Sequence, residues 1–134
     1  GEFYLTFTEK DKNTALINGN GALTIDKTVK LEGEFKESML NGKGKTYVFG
    51  DFTKVESEGE YKNNSLVYGK AYGHANNTMR DGEFSYGRLL NGKMYKDNKL
   101  ICDGKYDDKC VLTDGTLYNN EGGLITTLKD GQHV

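Results

Sequence analysis

The sequence predicts an all-β fold built from about five antiparallel β-hairpins, and three observations carry that prediction. Glycines return along the chain with a period of about 23 residues. Between them, apolar and polar residues alternate, which is the pattern of a half-buried strand. The segments that join the alternating stretches are short and rich in turn-forming residues, as hairpin connections are.

The glycines form two series that share this period. The first series is Gly19, Gly42, Gly69, Gly92 and Gly115, with spacings of 23, 27, 23 and 23. The second is Gly33, Gly59, Gly82 and Gly104, each followed two residues later by an aromatic residue: Phe35, Tyr61, Phe84 and Tyr106. Two markers with one period predict a single repeat domain over residues 1–134, with approximate units 1–30, 31–56, 57–80, 81–101 and 102–134.

Each unit is predicted to be one hairpin. In "VKLEGEF", Val29, Leu31, Gly33 and Phe35 share one face of a strand. The segments "KESM", "KNNS", "SYGR" and "DDK" are predicted hairpin turns, and "LITTLKDGQHV" is predicted to add a final hairpin or cap. Glycine is tolerated inside a strand where another group approaches closely, and we expect that group to be an aromatic ring of the neighbouring strand.

The second strands predict a candidate partner-binding face. Small residues occupy one parity of these strands, and tyrosines and lysines occupy the other. The members of this face are Tyr47, Phe49, Tyr72, Tyr95, Tyr118, Lys43, Lys70 and Lys93. Rows of exposed aromatic residues are typical of interaction surfaces. The alternative is that the rings stack across strands and only stabilise the sheet, and that the lysines are solvated.

No catalytic residue, metal ligand or cofactor is predicted. The two histidines, His74 and His133, show no short ligand spacing with Cys102 or Cys110. The glycines lie inside predicted strands, whereas a phosphate-binding loop needs a helix directly after its glycines. If Asp107–Asp108 is a two-residue turn, Cys110 lies opposite Lys105 and not Cys102, which predicts two thiols and favours a reducing compartment. The sequence indicates nothing further about localisation.

The balance of charges limits the classes of partner that we expect. The 134 residues carry 20 acidic and 18 basic side chains, well mixed, for a net charge of −2. This pattern predicts no nucleic-acid partner, and it gives little support to membrane lipid, although a headgroup contact through the lysines stays open. The chain begins with Gly1 and not Met, so we expect a piece of a longer protein, with Gly1-Glu2-Phe3 either native or a cloning remnant.

The stretch "LEGEFKESMLNGKGKTYVFGD" resembles a MORN repeat, through Gly33, Phe35, Leu40, Gly42, Gly44 and Tyr47. Weaker, degenerate forms of the pattern extend from about residue 17 to residue 118. The resemblance implies an elongated single-layer antiparallel sheet of about five stacked MORN-like β-hairpin repeats. It also implies a binding surface in place of a chemical site.

The expected function is therefore a non-enzymatic scaffold module that contacts a protein partner through an aromatic sheet face or a sheet edge. Sheet edges also offer a route to self-association. Two alternatives stay open. The chain could be an accessory domain that positions substrate or membrane for a larger enzyme or effector, in a SET-type methyltransferase-like or lipid-kinase-like arrangement. It could also be a bacterial antitoxin or immunity-type repeat protein.

Overall fold

The computed structural model describes residues 2–7, 17–119 and 121–133, and for residues 2–7 it describes the backbone strand alone. The secondary structure of these residues is entirely β, with no helix among them. The strands are β1 (Glu2–Phe7), β2 (Gly19–Ile25), β3 (Val29–Lys36), β4 (Met39–Val48), β5 (Asp51–Lys62), β6 (Ser65–Gly73), β7 (Thr78–Ser85), β8 (Arg88–Lys96), β9 (Lys99–Tyr106), β10 (Leu112–Tyr118), β11 (Leu124–Lys129) and β12 (Gln132–His133).

The chain forms two compact units, residues 1–67 and 68–134. In the first unit, β1 pairs in parallel with β2, and β2 to β5 form an antiparallel sheet in chain order. In the second unit, β6 to β12 are antiparallel and also follow chain order. The predicted all-β class, an open antiparallel sheet of hairpins, is confirmed. Gly1 and part of the first predicted repeat, 1–30, lie outside the described residues.

Most hairpin turns follow the sequence prediction. The predicted turns contain Glu37–Ser38, Asn63–Asn64 and Tyr86–Gly87, and in each pair both residues have positive φ, between 49° and 79°. Two central residues with positive φ make a type I′ turn, whose twist matches that of the flanking strands. Asp130–Gly131 forms the same kind of turn between β11 and β12, so the predicted final hairpin is present.

The predicted two-residue turn at Asp107–Asp108 is wrong. Tyr106 pairs with Leu112 and not with Lys109, and residues 107–111 form a wider loop. The Asp107 carboxylate closes this loop, because it accepts hydrogen bonds from the backbone N–H groups of Val111 (3.0 Å) and Lys109 (2.9 Å). These two bonds, with that of Val111 first, hold the pKa of Asp107 below its ordinary value.

The loop also changes the position of the cysteines. Cys110 lies in the loop, and Cys102 pairs with Leu117 on one side and Met94 on the other. Both are free thiols. Cys102 is half-buried, which raises the pKa of its thiol, whereas Cys110 is exposed.

Glycines face glycines on neighbouring strands of both units. The pairs are Gly21–Gly33, Gly33–Gly44 and Gly44–Gly59 in the first unit, and Gly69–Gly82, Gly82–Gly92, Gly92–Gly104 and Gly104–Gly115 in the second. At Gly92, where φ is 149°, a Cβ would meet the carbonyl oxygen of Asp81 and the Cα of Gly82. The aromatic ring predicted over each missing Cβ is therefore wrong at this position, because backbone of the neighbouring strand fills the space.

The aromatic residues of the second glycine series are the core. Phe35 pairs with Leu40, Phe84 with Leu89 and Tyr106 with Leu112, and all six are buried. In the first unit, Ile17, Leu23 and Tyr61 complete the cluster that contains Phe35 and Leu40. Each such side chain contributes about 1.5–3 kcal/mol by leaving water.

The two buried tyrosines keep their hydroxyl groups hydrogen-bonded, as buried polar groups require. The Tyr61 hydroxyl lies 2.5 Å from Ser57 Oγ, and the Tyr106 hydroxyl donates to the carbonyl oxygen of Gly92 at 3.2 Å. Burial raises the pKa of both phenols. The Tyr106 side chain therefore reaches the backbone of Gly92, which is one of the paired glycines.

Hydrogen bonds join two turns, at Ser38 and at Asn64, to the preceding repeat. Ser38 N–H donates to the Ile17 carbonyl (2.8 Å), and Ile17 N–H donates to Ser38 Oγ (2.8 Å). One repeat later, Asn64 N–H donates to the Leu40 carbonyl (3.0 Å), and Leu40 N–H donates to Asn64 Oδ1 (2.7 Å). The same two-way joint therefore occurs twice.

Candidate functional site

Three neighbouring strands of the second unit place two of the predicted tyrosines in one row. Tyr72 on β6 pairs with Met79 on β7, and Met79 pairs with Tyr95 on β8. Residues directly opposite one another on antiparallel strands share a face of the sheet. Since neighbouring strands lie about 4.8 Å apart, the two tyrosines are about 10 Å apart with Met79 between them.

A charged row runs beside the aromatic one. Lys70 pairs with Asp81, Asp81 with Lys93, and Lys93 with Asp103. Cross-strand pairs of opposite charge stabilise a sheet by about 0.2–1 kcal/mol each. On β6 to β8 the row holds two lysines and one aspartate, and Asp103 on β9 balances the second lysine.

A shallow groove of about 450 Å³ lies on this face. Its base is the row Tyr72, Met79 and Tyr95, and Lys70 and Asp81 lie at one end. The other end is lined by the adjoining ends of β6 and β7, Gly73 and Thr78, and by the turn residues His74, Asn77 and Asn98. A volume of this size is in the range of ligand sites, and the combination of apolar base and polar ends is typical of them.

The turn residues at this end are held by their own contacts. Asp97 N–H donates to the Asn77 carbonyl at 2.9 Å, and Asn77 Nδ2 donates to Asp97 Oδ1 at 3.0 Å. The His74 ring stacks on Tyr72 with centroids 6.1 Å apart and an interplanar angle of 23°. The His74 ring therefore covers part of Tyr72 at this end of the groove.

In the first unit, Tyr47 has a different environment. Its hydroxyl donates to Glu32 Oε1 at 3.3 Å, and Lys30 Nζ lies 4.7 Å from the centre of its ring. Phe52 meets the same ring in a T-shaped contact at 6.5 Å. Burial and the Glu32 carboxylate raise the pKa of Tyr47. The contacts of Tyr47 are therefore made with residues of its own unit.

The remaining predicted residues are not among those that line the groove. Phe49, between β4 and β5, is 72% exposed. Lys43 pairs with Glu60, and its backbone N–H donates to Glu34 Oε2 at 2.7 Å. Tyr118 is half-buried, and its hydroxyl accepts a hydrogen bond from Thr116 Oγ1 at 3.1 Å. Lys93 is exposed beside Asp81 at the margin of the groove.

Met79 is one of the groove residues that sequence reasoning missed, and a β-bulge on its strand changes its pairing. The turn at Tyr86–Gly87 pairs Ser85 with Arg88, and counting outwards from that turn would place Met79 opposite Met94. The register shifts between Glu83 and Phe84, which brings Met79 opposite Tyr95. A bulge inserts one residue without a distinctive composition, so the pairing was not readable from the sequence. His74, Asn77, Asn98 and Asp81 were missed because they lie outside the second strands.

A metal-binding cluster and a membrane-spanning helix are both absent from the described residues. Within 2–7, 17–119 and 121–133, no three His, Cys, Asp or Glu side chains are grouped so that they could hold a metal ion. The same ranges contain no helix of the length and hydrophobicity needed to cross a bilayer.

No family model matches the chain, and no curated protein matches it in sequence. The resemblance to MORN repeats therefore stays a prediction.

Proposed function

We propose that this chain is a non-enzymatic, MORN-like interaction module that binds a protein partner in the groove on β6, β7 and β8. The observation that carries the proposal is the row Tyr72, Met79 and Tyr95 at the base of a groove with polar groups at both ends. The regular hairpins and the paired glycines support the MORN-like part of the proposal.

The groove has the features of a peptide-binding surface. Tyrosine offers a large contact area at a low cost in side-chain entropy, and it anchors many interfaces. The flexible thioether of Met79 adapts to the shape of what lies above it. Lys70, His74, Asn77 and Asn98 supply hydrogen-bonding groups at the ends, where they would fix the orientation of a partner.

The position of these residues on paired strands supports binding without a large rearrangement. β7 is hydrogen-bonded to β6 on one side and to β8 on the other. A site on such a scaffold is ordered before its partner arrives, which reduces the entropy lost on binding. The Tyr47 region is a weaker candidate, because Glu32, Lys30 and Phe52 already occupy the hydroxyl and ring of Tyr47.

Selection from a random peptide library displayed on phage, with the whole chain as target, tests the proposal. We expect enriched peptides whose binding weakens at least about tenfold in Tyr72→Ser and in Tyr95→Ser, as for anchor residues of interfaces. The matched controls are Tyr68→Ser and Tyr86→Ser, since these tyrosines of the same unit are 61% and 96% exposed and do not line the groove. Circular dichroism checks that each variant keeps its sheet.

The proposal fails if enriched peptides bind the double variant Tyr72→Ser/Tyr95→Ser as tightly as the unaltered chain. Sedimentation with vesicles that contain anionic lipid, over a series of salt concentrations, addresses the lipid alternative. Salt-sensitive vesicle binding that Lys70→Ala abolishes, without any peptide enrichment, would replace the proposed protein partner with a membrane surface.

A further inference from the structure

The spacing of Tyr72 and Tyr95 matches the repeat of one peptide conformation. The tyrosines are separated by two strand spacings, about 9.6 Å. A polyproline II helix has three residues per turn and rises about 3.1 Å per residue, so residues i and i+3 lie on the same side about 9.3 Å apart. A peptide of this conformation that crosses the strands at a right angle would place residues i and i+3 over the two tyrosines.

We propose that the groove binds a proline-rich, acidic segment in the polyproline II conformation, with prolines at i and i+3 seated on Tyr72 and Tyr95. The inference rests on the proposed function and names the chemistry of its partner. Aromatic-lined grooves suit such ligands, because the proline rings pack on the aromatic faces and the helix is already ordered before binding. Met79, between the tyrosines, lies under the intervening residues.

Other peptide conformations fit this row less well. In an extended strand, side chains on one face repeat at about 6.7 Å and 13 Å, and neither distance matches 9.6 Å. Strand addition needs a free edge, but β7 and β8 are hydrogen-bonded on both sides. In an α-helix, residues i and i+7 lie about 10.5 Å apart, and the helix is about 10–12 Å wide with its side chains. The polyproline II repeat gives the closest match.

The charged row adds the acidic part of the proposal. Lys70 and Lys93 lie two residues before Tyr72 and Tyr95 on the same strands, and they are therefore separated by the same two strand spacings. Both lysines are exposed. A three-residue repeat of one proline and one acidic residue would place each proline on a tyrosine and each carboxylate towards a lysine.

Asp81 lies between Lys70 and Lys93, and its charge repels a peptide carboxylate placed halfway between the two lysines. This repulsion also favours peptides whose acidic residues are three residues apart. Either direction of the peptide is open to test. Turning the peptide end for end about an axis perpendicular to the sheet keeps the prolines over the tyrosines. The same rotation moves the carboxylates from one side of the peptide to the other. One of the two directions therefore puts all carboxylates of such a repeat on the lysine side.

The test uses fluorescein-labelled synthetic peptides and fluorescence anisotropy with the whole chain. The probe is four repeats of Pro-Asp-Ala. Its controls are four repeats of Pro-Asp-Ala-Ala, which shift the prolines from i+3 to i+4, and four repeats of Pro-Lys-Ala, which reverse the charge. A helix-forming Ala-rich peptide with acidic residues represents the helical occupant. This series tests the inference without any protein variant that could fail to fold.

We expect the Pro-Asp-Ala peptide to bind at least about tenfold more tightly than each of the other three. Tyr72→Ser and Tyr95→Ser should each weaken this binding about tenfold or more, whereas Tyr68→Ser and Tyr86→Ser should leave it within about twofold. Lys70→Glu should lower the affinity for the aspartate peptide and raise it for the lysine peptide, because it reverses one end of the charged row.

Equal binding of the three-residue and four-residue repeats would overturn the inference. So would tighter binding of the helical peptide, or of proline-free peptides from the phage selection, through the same two tyrosines; these outcomes would leave the proposed function standing. Absence of any tyrosine-dependent peptide binding, in the anisotropy series and in the phage selection alike, would overturn both.

Discussion

Tyr47 in the first unit and Tyr95 in the second each lie three residues after a glycine that faces glycines on both neighbouring strands, Gly44 and Gly92, yet their surroundings differ. Tyr47 donates to Glu32, lies under Lys30 and meets the edge of Phe52. Tyr95 has Met79 beside it, and together with Tyr72 it forms the base of a groove. A repeat position thus determines where a ring lies on the sheet, and its cross-strand neighbours determine whether the ring is covered by its own unit or lines a groove.

The two regions share the scaffold below them. Each unit has paired glycines, and each has a buried row in which an aromatic residue faces a leucine. The two regions differ on the face that carries the tyrosines. Substitutions in the shared scaffold should therefore have large effects in both units, and substitutions on the tyrosine face should have small effects on stability.

The largest expected effect comes from a side chain at a paired glycine. Gly92→Ala should destabilise the protein by more than about 4 kcal/mol, because the new Cβ meets backbone of β7 and φ is unfavourable for alanine. Gly87→Ala is the control: it has positive φ but open space around it, and should cost about 1–2 kcal/mol. Urea unfolding measures both. Equal costs would show that φ alone, and not the approach of the strands, requires glycine at position 92.

Substitution of one buried leucine in each unit compares how much the two cores contribute to stability. Leu40→Ala in the first unit and Leu89→Ala in the second should each cost about 3 kcal/mol, since these side chains are 0% and 2% exposed. Hydrogen exchange resolved by residue should show the loss of protection beginning in β3–β5 for the first variant and in β7–β9 for the second. Met39→Ala, at an exposed neighbour of Leu40, should cost less than about 0.5 kcal/mol. A similar cost for Met39→Ala and Leu40→Ala would contradict the assignment of the core.

The hydrogen bonds that join a turn to the preceding repeat should contribute less to the free energy of unfolding than a buried leucine side chain. Asn64→Ala removes the acceptor of the Leu40 N–H and leaves a donor unpaired next to a buried side chain, at a cost of about 1–3 kcal/mol. It also places alanine at a φ of 69°. Asn64→Gly separates these effects, since glycine accepts that φ but provides no side-chain oxygen. If Asn64→Gly is as stable as the unaltered chain, the side-chain hydrogen bond contributes nothing measurable.

Alkaline pH should act through the buried tyrosine of the second unit. Burial raises the pKa of Tyr106, so the folded state favours the neutral phenol. This stabilisation is complete below pH 10, the ordinary pKa of tyrosine, and is lost as the pH rises towards the raised pKa of the folded state. Near pH 11 the loss should be about 1.4 kcal/mol. Urea unfolding at pH 9 and pH 11 measures it, and Tyr106→Phe should reduce the difference.

The smallest expected effect tests the comparison of the two tyrosines directly. Tyr47→Phe removes the hydroxyl that donates to Glu32 and should cost about 0.5–1 kcal/mol. Tyr95→Phe should leave the free energy of unfolding within about 0.5 kcal/mol, because Tyr95 lines the open groove. Thermal unfolding of the two variants side by side measures the difference. An equal loss for both would mean that Tyr95 is as fully engaged by its own sheet as Tyr47.

Local sequence signals predicted most of the fold. Strands and hairpin turns depend mainly on neighbouring residues, so they could be predicted from local patterns. Examples are the alternation of Leu31, Gly33 and Phe35 in β3 and the turn residues Asn63–Asn64. The loop at 107–111 was not predicted, since it depends on hydrogen bonds from Asp107 to residues farther along the chain. The parallel pairing of β1 with β2 was also absent from the prediction, because the period concerned hairpins alone.

The candidate site was predicted in part. Tyr72, Tyr95 and Lys70 were selected from their parity, and all three line the groove. Met79 and Asp81 belong to the preceding strand, and their pairing with β8 depends on the register shift near Phe84. The different roles of Tyr47 and Tyr95 depend on side chains from other strands, which a repeat pattern treats as equivalent.

The two-way joint between a turn and the preceding repeat bears on how such a chain grows during evolution. Ile17 and Ser38 form one joint, and Leu40 and Asn64 form the next, with donor and acceptor supplied from equivalent positions one repeat apart. A tandem duplication of one whole repeat in the gene therefore copies both halves of a joint, and the longer array satisfies its new hydrogen bonds at once. A deletion that removes half a hairpin leaves a backbone donor such as Leu40 N–H without its acceptor, so gain and loss of length should proceed in whole repeats.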